Sequence, residues 1–234
     1  MRRSAKTQTV FNGEVILRLS KLLIGTASLA LIAGSPALAV AGDANWYVSV
    51  FGGGVSDAFA YADDDPYDSN TDDVEVDTEF GWTLGLAAGF RMSDTMRGEV
   101  ELSTTRTGLE HASEGSLGTD VGGNLTTGYL LGNMWFDLDT GAGFTPYLGG
   151  GLGAGYLHIE ANPTPSSTLL DADGIGLGYQ VGAGVNFDVS ENVGVDLGYR
   201  FKGISGADIT GEGTIGVPAH VGSHVIQAGL TFGF

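Results

Sequence analysis

The chain has 234 residues, no cysteine, 40 glycines and a formal net charge of −18. This length suits one domain, and without cysteine neither a disulfide framework nor a cysteine-based metal site is available. The acid excess excludes nucleic acid as a partner, because that affinity rests on neutralising phosphates.

Arg2, Arg3, Lys6, Arg18 and Lys21 make a basic leader, and the apolar run LLIGTASLALIA follows at residues 22–33. The run is too short for a membrane helix, which takes about 20 residues. Small residues come next, with Ala37-x-Ala39 and Ala39-x-Ala41 as cleavage patterns. Residues 1–39 are expected to be a signal peptide, cut after Ala39 or Ala41, and residues 40–234 the exported domain. Without residues 1–39 the chain keeps five basic and 27 acidic side chains, a net charge of −22.

No long apolar run follows the leader; alternation recurs instead. The first strand is expected at 46–55. The second, EFGWTLGLAAGF at 79–90, is the clearest: Phe80, Trp82, Leu84, Leu86, Ala88 and Phe90 share one face, and small or polar residues share the other. Further strands are expected at 96–105, 125–136, 145–159, 175–187, 193–201 and 221–234, with the facing of 125–136 left open. Short links at 92–95, 137–143 and 190–192 alternate with long ones at 56–78, 106–124, 160–174 and 202–220. Short turns at one end and long loops at the other are the pattern of an outer-membrane barrel with its turns in the periplasm. The expected fold is all-β, an eight-stranded antiparallel up-and-down transmembrane β-barrel with both termini at the turn end.

A soluble lipocalin-like barrel also alternates, but its solvent face carries many Lys and Glu. Here the second face is mostly glycine, which suits a crowded, narrow lumen. Trp46, Tyr47, Phe80, Phe90, Trp135, Tyr147, Phe187, Phe201, Phe232 and Phe234 lie near strand ends, where two interfacial girdles would place them.

The C-terminal QAGLTFGF resembles the terminal strand signal of bacterial outer-membrane barrels through Gln227, Gly229, Phe232 and Phe234. The resemblance implies that the outer-membrane assembly machinery reads this strand. FTPYLGGGLGAGY (144–156), GNMWFDLDTG (132–141) and GYQVGAGVNFDVSENVGVDLGYRF (178–201) resemble the small porin-like and surface-antigen barrels, related to the OmpA membrane domain. That family implies residence in the outer membrane of Gram-negative bacteria, contact with lipid and lipopolysaccharide, and a monomer.

Catalysis has two weak candidates. HASE offers His111, Ser113 and Glu114, and HVGSH offers His220, Ser223 and His224. A serine nucleophile needs a base held beside it; HASE is expected in the second long loop, away from the bilayer rim where a lipid chain would lie, and HVGSH has no fixed partner. The chain is therefore read as no enzyme, without cofactor or dedicated metal site. The segment 57–77 holds nine acids and no base, and the stretches 57–78, 107–123, 160–173 and 203–219 together hold 17 acids without Lys or Arg. Carboxylates suit divalent cations, so diffuse Ca²⁺ or Mg²⁺ is expected at these acidic loops, although DDDPYDSNTDD lacks the EF-hand order of ligands. DADG (171–174) adds a small cluster.

RGEVELS (97–103) puts Arg97, Glu99 and Glu101 on one face with Val100 and Leu102 on the other. If the apolar faces meet lipid, Arg97, Glu99, Glu101, Gln180, Asp196, Arg200 and Lys202 point inward, where confined charges need partners. An eight-stranded interior is about wide enough for side chains to fill, while its glycines leave a pore open as a second reading. The expected function is a structural or surface-interaction barrel with a plugged lumen. A narrow cation-preferring pore is the alternative, and a lipid A-modifying enzyme a distant one.

Overall fold

The computed structural model describes residues 45–62, 74–78, 80–114, 117–163, 170–211 and 218–234. The expected signal segment lies outside them. The strands are β1 (Trp46–Ala62), β2 (Val74–Thr78), β3 (Gly81–Ser93), β4 (Met96–Glu114), β5 (Leu117–Asp137), β6 (Phe144–Pro163), β7 (Leu170–Ser190), β8 (Val193–Gly211) and β9 (Pro218–Gly233). No helix occurs among the described residues.

All pairings are antiparallel, and β9 pairs back onto β1, so the sheet closes. Closure satisfies every strand edge, which a lipid environment demands. Short β2 pairs with the loop-end half of β1 and with β4 (Phe59↔Asp77, Val76↔Ala112). It therefore occupies the slot above β3, and the wall has eight positions built from nine strands. The sequence reading placed 74–78 in a loop. Its own alternation, Val74 and Val76 between Glu75 and Asp77, is short and sits among acids.

Following opposed residues around the wall gives the stagger. Trp46 leads through Phe90, Gly98, Met134, Gly150, Val181, Phe201 and His224 back to β1 at Ser56, ten residues further along. For eight strands, a shear of ten sets a tilt of about 40° and a radius of about 8 Å.

The strands are longer than the alternation suggested. β4 has 19 residues and β5 has 21, against about 9–11 needed to cross a bilayer. Segments read as loops at 106–124, 160–174 and 202–220 thus belong largely to strands. The strict alternation of apolar and small residues weakens there, but the backbone still needs its ladder partners.

At the other end the turns are tight. Asp94 and Thr95 link β3 to β4, and Glu191 and Asn192 link β7 to β8. In the 138–143 link, Gly141 and Gly143 take φ of 63° and 73°. Asp139 Oδ1 accepts the Gly141 N–H at 2.9 Å and fixes that turn.

Val100, Leu102, Leu84, Leu86, Leu148, Leu152, Val181 and Ile226 are exposed on the outer wall. β5 turns Leu130, Met134 and Phe136 outward and buries Leu125, Tyr129, Leu131 and Trp135. Three residues assigned to the girdles line the lumen instead: Tyr47, Trp135 and Tyr147 are 3%, 1% and 2% exposed. A girdle needs one parity along each strand, and Trp46 and Tyr47 are neighbours, so only one of them can face out.

Candidate functional site

The inward face combines glycine on one strand with a large side chain on the next. A Cβ on Gly89 would strike the Tyr47 ring, one on Gly85 would strike Phe51, and one on Gly184 would strike Tyr147. Gly149 makes room for Trp135, Gly155 for Ile204 and Gly182 for Arg200. The glycines that left a pore open in the sequence are thus the sockets of the side chains that fill the barrel.

Three layers stack along the lumen. At the turn end, Arg97 Nε donates to Asp137 Oδ1 at 3.0 Å, and Arg97 Nη1 lies 3.4 Å from Glu99 Oε1. Glu99 also accepts from Tyr47 Oη at 2.6 Å and from Trp135 Nε1 at 2.8 Å. Two guanidinium groups approach the Tyr147 ring, Arg97 at 4.6 Å and Arg200 at 5.1 Å from its centroid. Arg200 also lies 4.3 Å over Trp135 and donates to Tyr147 Oη at 2.7 Å. Cation–π contact strengthens when water is excluded, so these rings hold the arginines as well as the acids do.

The middle layer centres on Glu101. Its Oε1 accepts from Lys202 Nζ at 2.5 Å and Ser103 Oγ at 2.7 Å. Its Oε2 accepts from Gln180 Nε2 at 2.6 Å and Asn133 Nδ2 at 3.1 Å. Four donors match the acceptor capacity of one carboxylate. They come from β4, β5, β7 and β8, so the cluster ties the walls together across the lumen. Lys202 is 0% exposed and Glu101 3%. Burial of this depth is tolerable only for charges that are paired and hydrogen-bonded.

Towards the loop end Leu125, Tyr129, Leu131, Leu157, Ile204, Ile209 and Val221 form one buried apolar cluster, interleaved with the buried hydroxyls of Thr105, Thr107, Thr127 and Ser223, which line a small cavity of about 10 Å³. Between the first two layers remains a cavity of about 30 Å³, lined by Arg97, Glu99, Glu101, Asp196, Arg200 and Gln227 among others. It has room for one or two water molecules.

A model of the outer membrane protein beta-barrel domain matches residues 25–234. The chain belongs to that family. It is an outer-membrane β-barrel protein.

An uncharacterized protein of Brucella abortus is 26% identical over 181 residues, 68% of this chain. The chain spans 60% of the length of that curated relative. Among solved structures, Neisserial surface protein A is 24% identical, with 81% of this chain and 97% of that one covered and a TM-score of 0.42. Ail, the attachment invasion locus protein of Yersinia pestis, crystallised with a heparin analogue, is 19% identical, with coverages of 80% and 99% and a TM-score of 0.43. OprG from Pseudomonas aeruginosa is 18% identical, with coverages of 82% and 98% and a TM-score of 0.49.

Arg97, Glu99, Glu101, Gln180, Asp196, Arg200 and Lys202 all lie on the inward parity of β4, β7 and β8. They form two groups, Arg97 with Glu99 and Lys202 with Glu101 and Gln180, while Asp196 and Arg200 line the cavity between. Asp137, Asn133 and Ser103, which the sequence pattern does not single out, and Tyr47, Tyr147 and Trp135, which it assigns to the girdles, belong to the same network. Asp137 was placed in a turn; counted as the last residue of β5, it shares the parity of Asn133 and Trp135. In the terminal strand, Gln227 is buried and Gly229 lies against Phe51, whereas Phe232 and Phe234 are exposed on the outer wall.

The HVGSH stretch divides between faces. Ser223 is buried inside, while His224 stacks outside on Tyr199 and meets Phe201 at a tilt, and His220 meets Ser205. Ser223 is thus on the opposite side of the wall from His220 and His224 and pairs with neither as nucleophile and base. HASE lies on β4 rather than in a loop, with His111 opposite Asp77 and Asp120 in the ladder. The side chains of the acidic 60–79 segment lie outside the described residues.

Proposed function

We propose that this outer-membrane barrel is a structural or surface-interaction protein whose lumen is sealed by its own side chains and whose loops meet the outside. The observation that carries this reading is the Glu101 cluster. Lys202 and Glu101 are buried to the level at which no water touches the ammonium group, and a closely packed layer of apolar side chains and threonine hydroxyls lies above them. A conducting path would have to break that ion pair and wet that layer. The reading includes export by a signal peptide cut after Ala39 or Ala41, contact with outer-membrane lipid and lipopolysaccharide, recognition of the C-terminal strand by the assembly machinery, and diffuse divalent cations at the acidic loops. It assigns no catalysis.

Planar-bilayer recording tests the sealed lumen. The native protein is expected to be electrically silent, and Glu101→Ala combined with Lys202→Ala should produce small, frequent openings. Stable cation-selective steps from the native protein would favour the narrow pore instead.

A further inference from the structure

On the outer wall, above the lipid-facing apolar residues of β6 and β7, two ladder pairs bring four polar residues onto one face. His158 stands opposite Asp173, and Glu160 stands opposite Asp171. His158 Nδ1 lies 3.0 Å from Asp173 Oδ1 and 3.8 Å from Asp171 Oδ1, and its Nε2 lies 3.5 Å from Glu160 Oε1. The imidazole is the only base in these contacts, so one neutral or singly charged ring faces three carboxylates. Tyr156 Oη also donates to Asp173.

We propose that His158, Asp171 and Asp173 form a divalent-metal site of the imidazole–carboxylate kind, with Glu160 orienting the ring from behind. The three ligand atoms lie within 4.8 Å of one another. Around an ion bound at about 2.0–2.2 Å, neighbouring ligand atoms sit about 3–4 Å apart, the range spanned by the two measured separations. An Nδ1 bound to metal leaves Nε2–H free to donate, and Glu160 is placed to accept it. A carboxylate behind a ligating histidine is the usual means of fixing tautomer and ring direction. A mixed nitrogen and oxygen donor set favours Zn²⁺ and its transition-metal neighbours over Ca²⁺ and Mg²⁺. Three protein ligands leave at least one position for water or another oxygen donor.

The test is calorimetric titration of the refolded full-length barrel with Zn²⁺, and separately with Mg²⁺. One Zn²⁺ should bind in the micromolar range, with Mg²⁺ at least 100-fold weaker at the same site. His158→Ala and Asp173→Asn should each weaken Zn²⁺ at least 10-fold, and Glu160→Gln about 10-fold through the lost orienting contact. His224→Ala should change nothing. All four positions are on the outer wall, and unfolding by heat on a gel confirms that each variant is folded. Zn²⁺ binding that survives both His158→Ala and Asp173→Asn would place the ion at the acidic loops and overturn the site, as would absence of binding to the native protein. Equal affinity for Mg²⁺ would overturn the donor-set assignment.

Discussion

Lys202 and Glu101 are separated by 101 positions in the chain, and their charged atoms lie 2.5 Å apart in the lumen. The pair joins β8 to β4 across the barrel, and the ammonium group of Lys202 is fully buried. Removing one member leaves the other charge buried and unpaired, which costs about 3–5 kcal/mol, whereas removing both together is far milder. Lys202→Met and Glu101→Gln should therefore each lower the unfolding free energy in lipid vesicles by about 3 kcal/mol, and the double variant by clearly less than their sum. Strictly additive losses in urea titrations would show that the two side chains act independently.

The inward placement of Trp135 separates the three tryptophans by environment. Trp46 and Trp82 are 51% and 46% exposed on the lipid side, and Trp135 is 1% exposed beneath Arg200. In single-tryptophan variants reconstituted with brominated lipid, the fluorescence of Trp46 and Trp82 should be strongly quenched and that of Trp135 hardly at all. Quenching of Trp135 comparable to Trp46 would put β5 in the opposite facing.

How much of this was readable beforehand follows from what alternation measures. On β3 and β4 the two faces differ sharply, as in Leu84 and Leu86 against Gly85, or Val100 and Leu102 against Glu99 and Glu101, and there parity alone assigns each side chain. On β5 both faces are apolar: Leu130 and Met134 point out while Leu131 and Trp135 point in, so composition carries no direction. Only the ladder to β4, with Glu101 opposite Leu131 and Arg97 opposite Trp135, resolves it. Partner choice was also out of reach. Glu101 meets Lys202 rather than an arginine because the shear of ten offsets the strands, and stagger is a property of closure that no single strand encodes. The His158 cluster is similar: DADG is visible as acids, but its partner lies across a 160–174 segment read as loop.

Paired glycines offer a sharper check of the filled lumen. A Cβ on Gly151 would meet Asn133 Oδ1 and the Gly132 carbonyl, whereas one on Gly132 has its nearest neighbour, the Leu152 carbonyl, at 3.9 Å. The two substitutions have the same chemistry on opposite faces of adjacent strands. Gly151→Ala forces Asn133 away from Glu101 and should destabilise by about 1–3 kcal/mol, while Gly132→Ala should stay within about 0.5 kcal/mol of the native barrel. Equal effects in refolded protein would mean that the lumen has slack to absorb the methyl group.

The terminal strand permits a separation of stability from assembly. Phe234 is 58% exposed and its N–H donates to the Trp46 carbonyl at 3.0 Å, a bond that any residue at this position retains. Its ring lies on the lipid face, outside the lumen network that ties the walls together. Phe234→Ala should thus leave the unfolding free energy of the refolded barrel within about 1 kcal/mol of native. If the assembly machinery reads Phe232 and Phe234, the same variant should lower the folded fraction recovered from cell outer membranes several-fold. Phe232 pairs with Val48 and Val193 in the ladder, and Phe232→Ala supplies the second test with the same expectation. A loss in cells matched by an equal loss of refolded stability would assign the two rings to holding the barrel shut, and normal recovery from cells would remove their role as a signal.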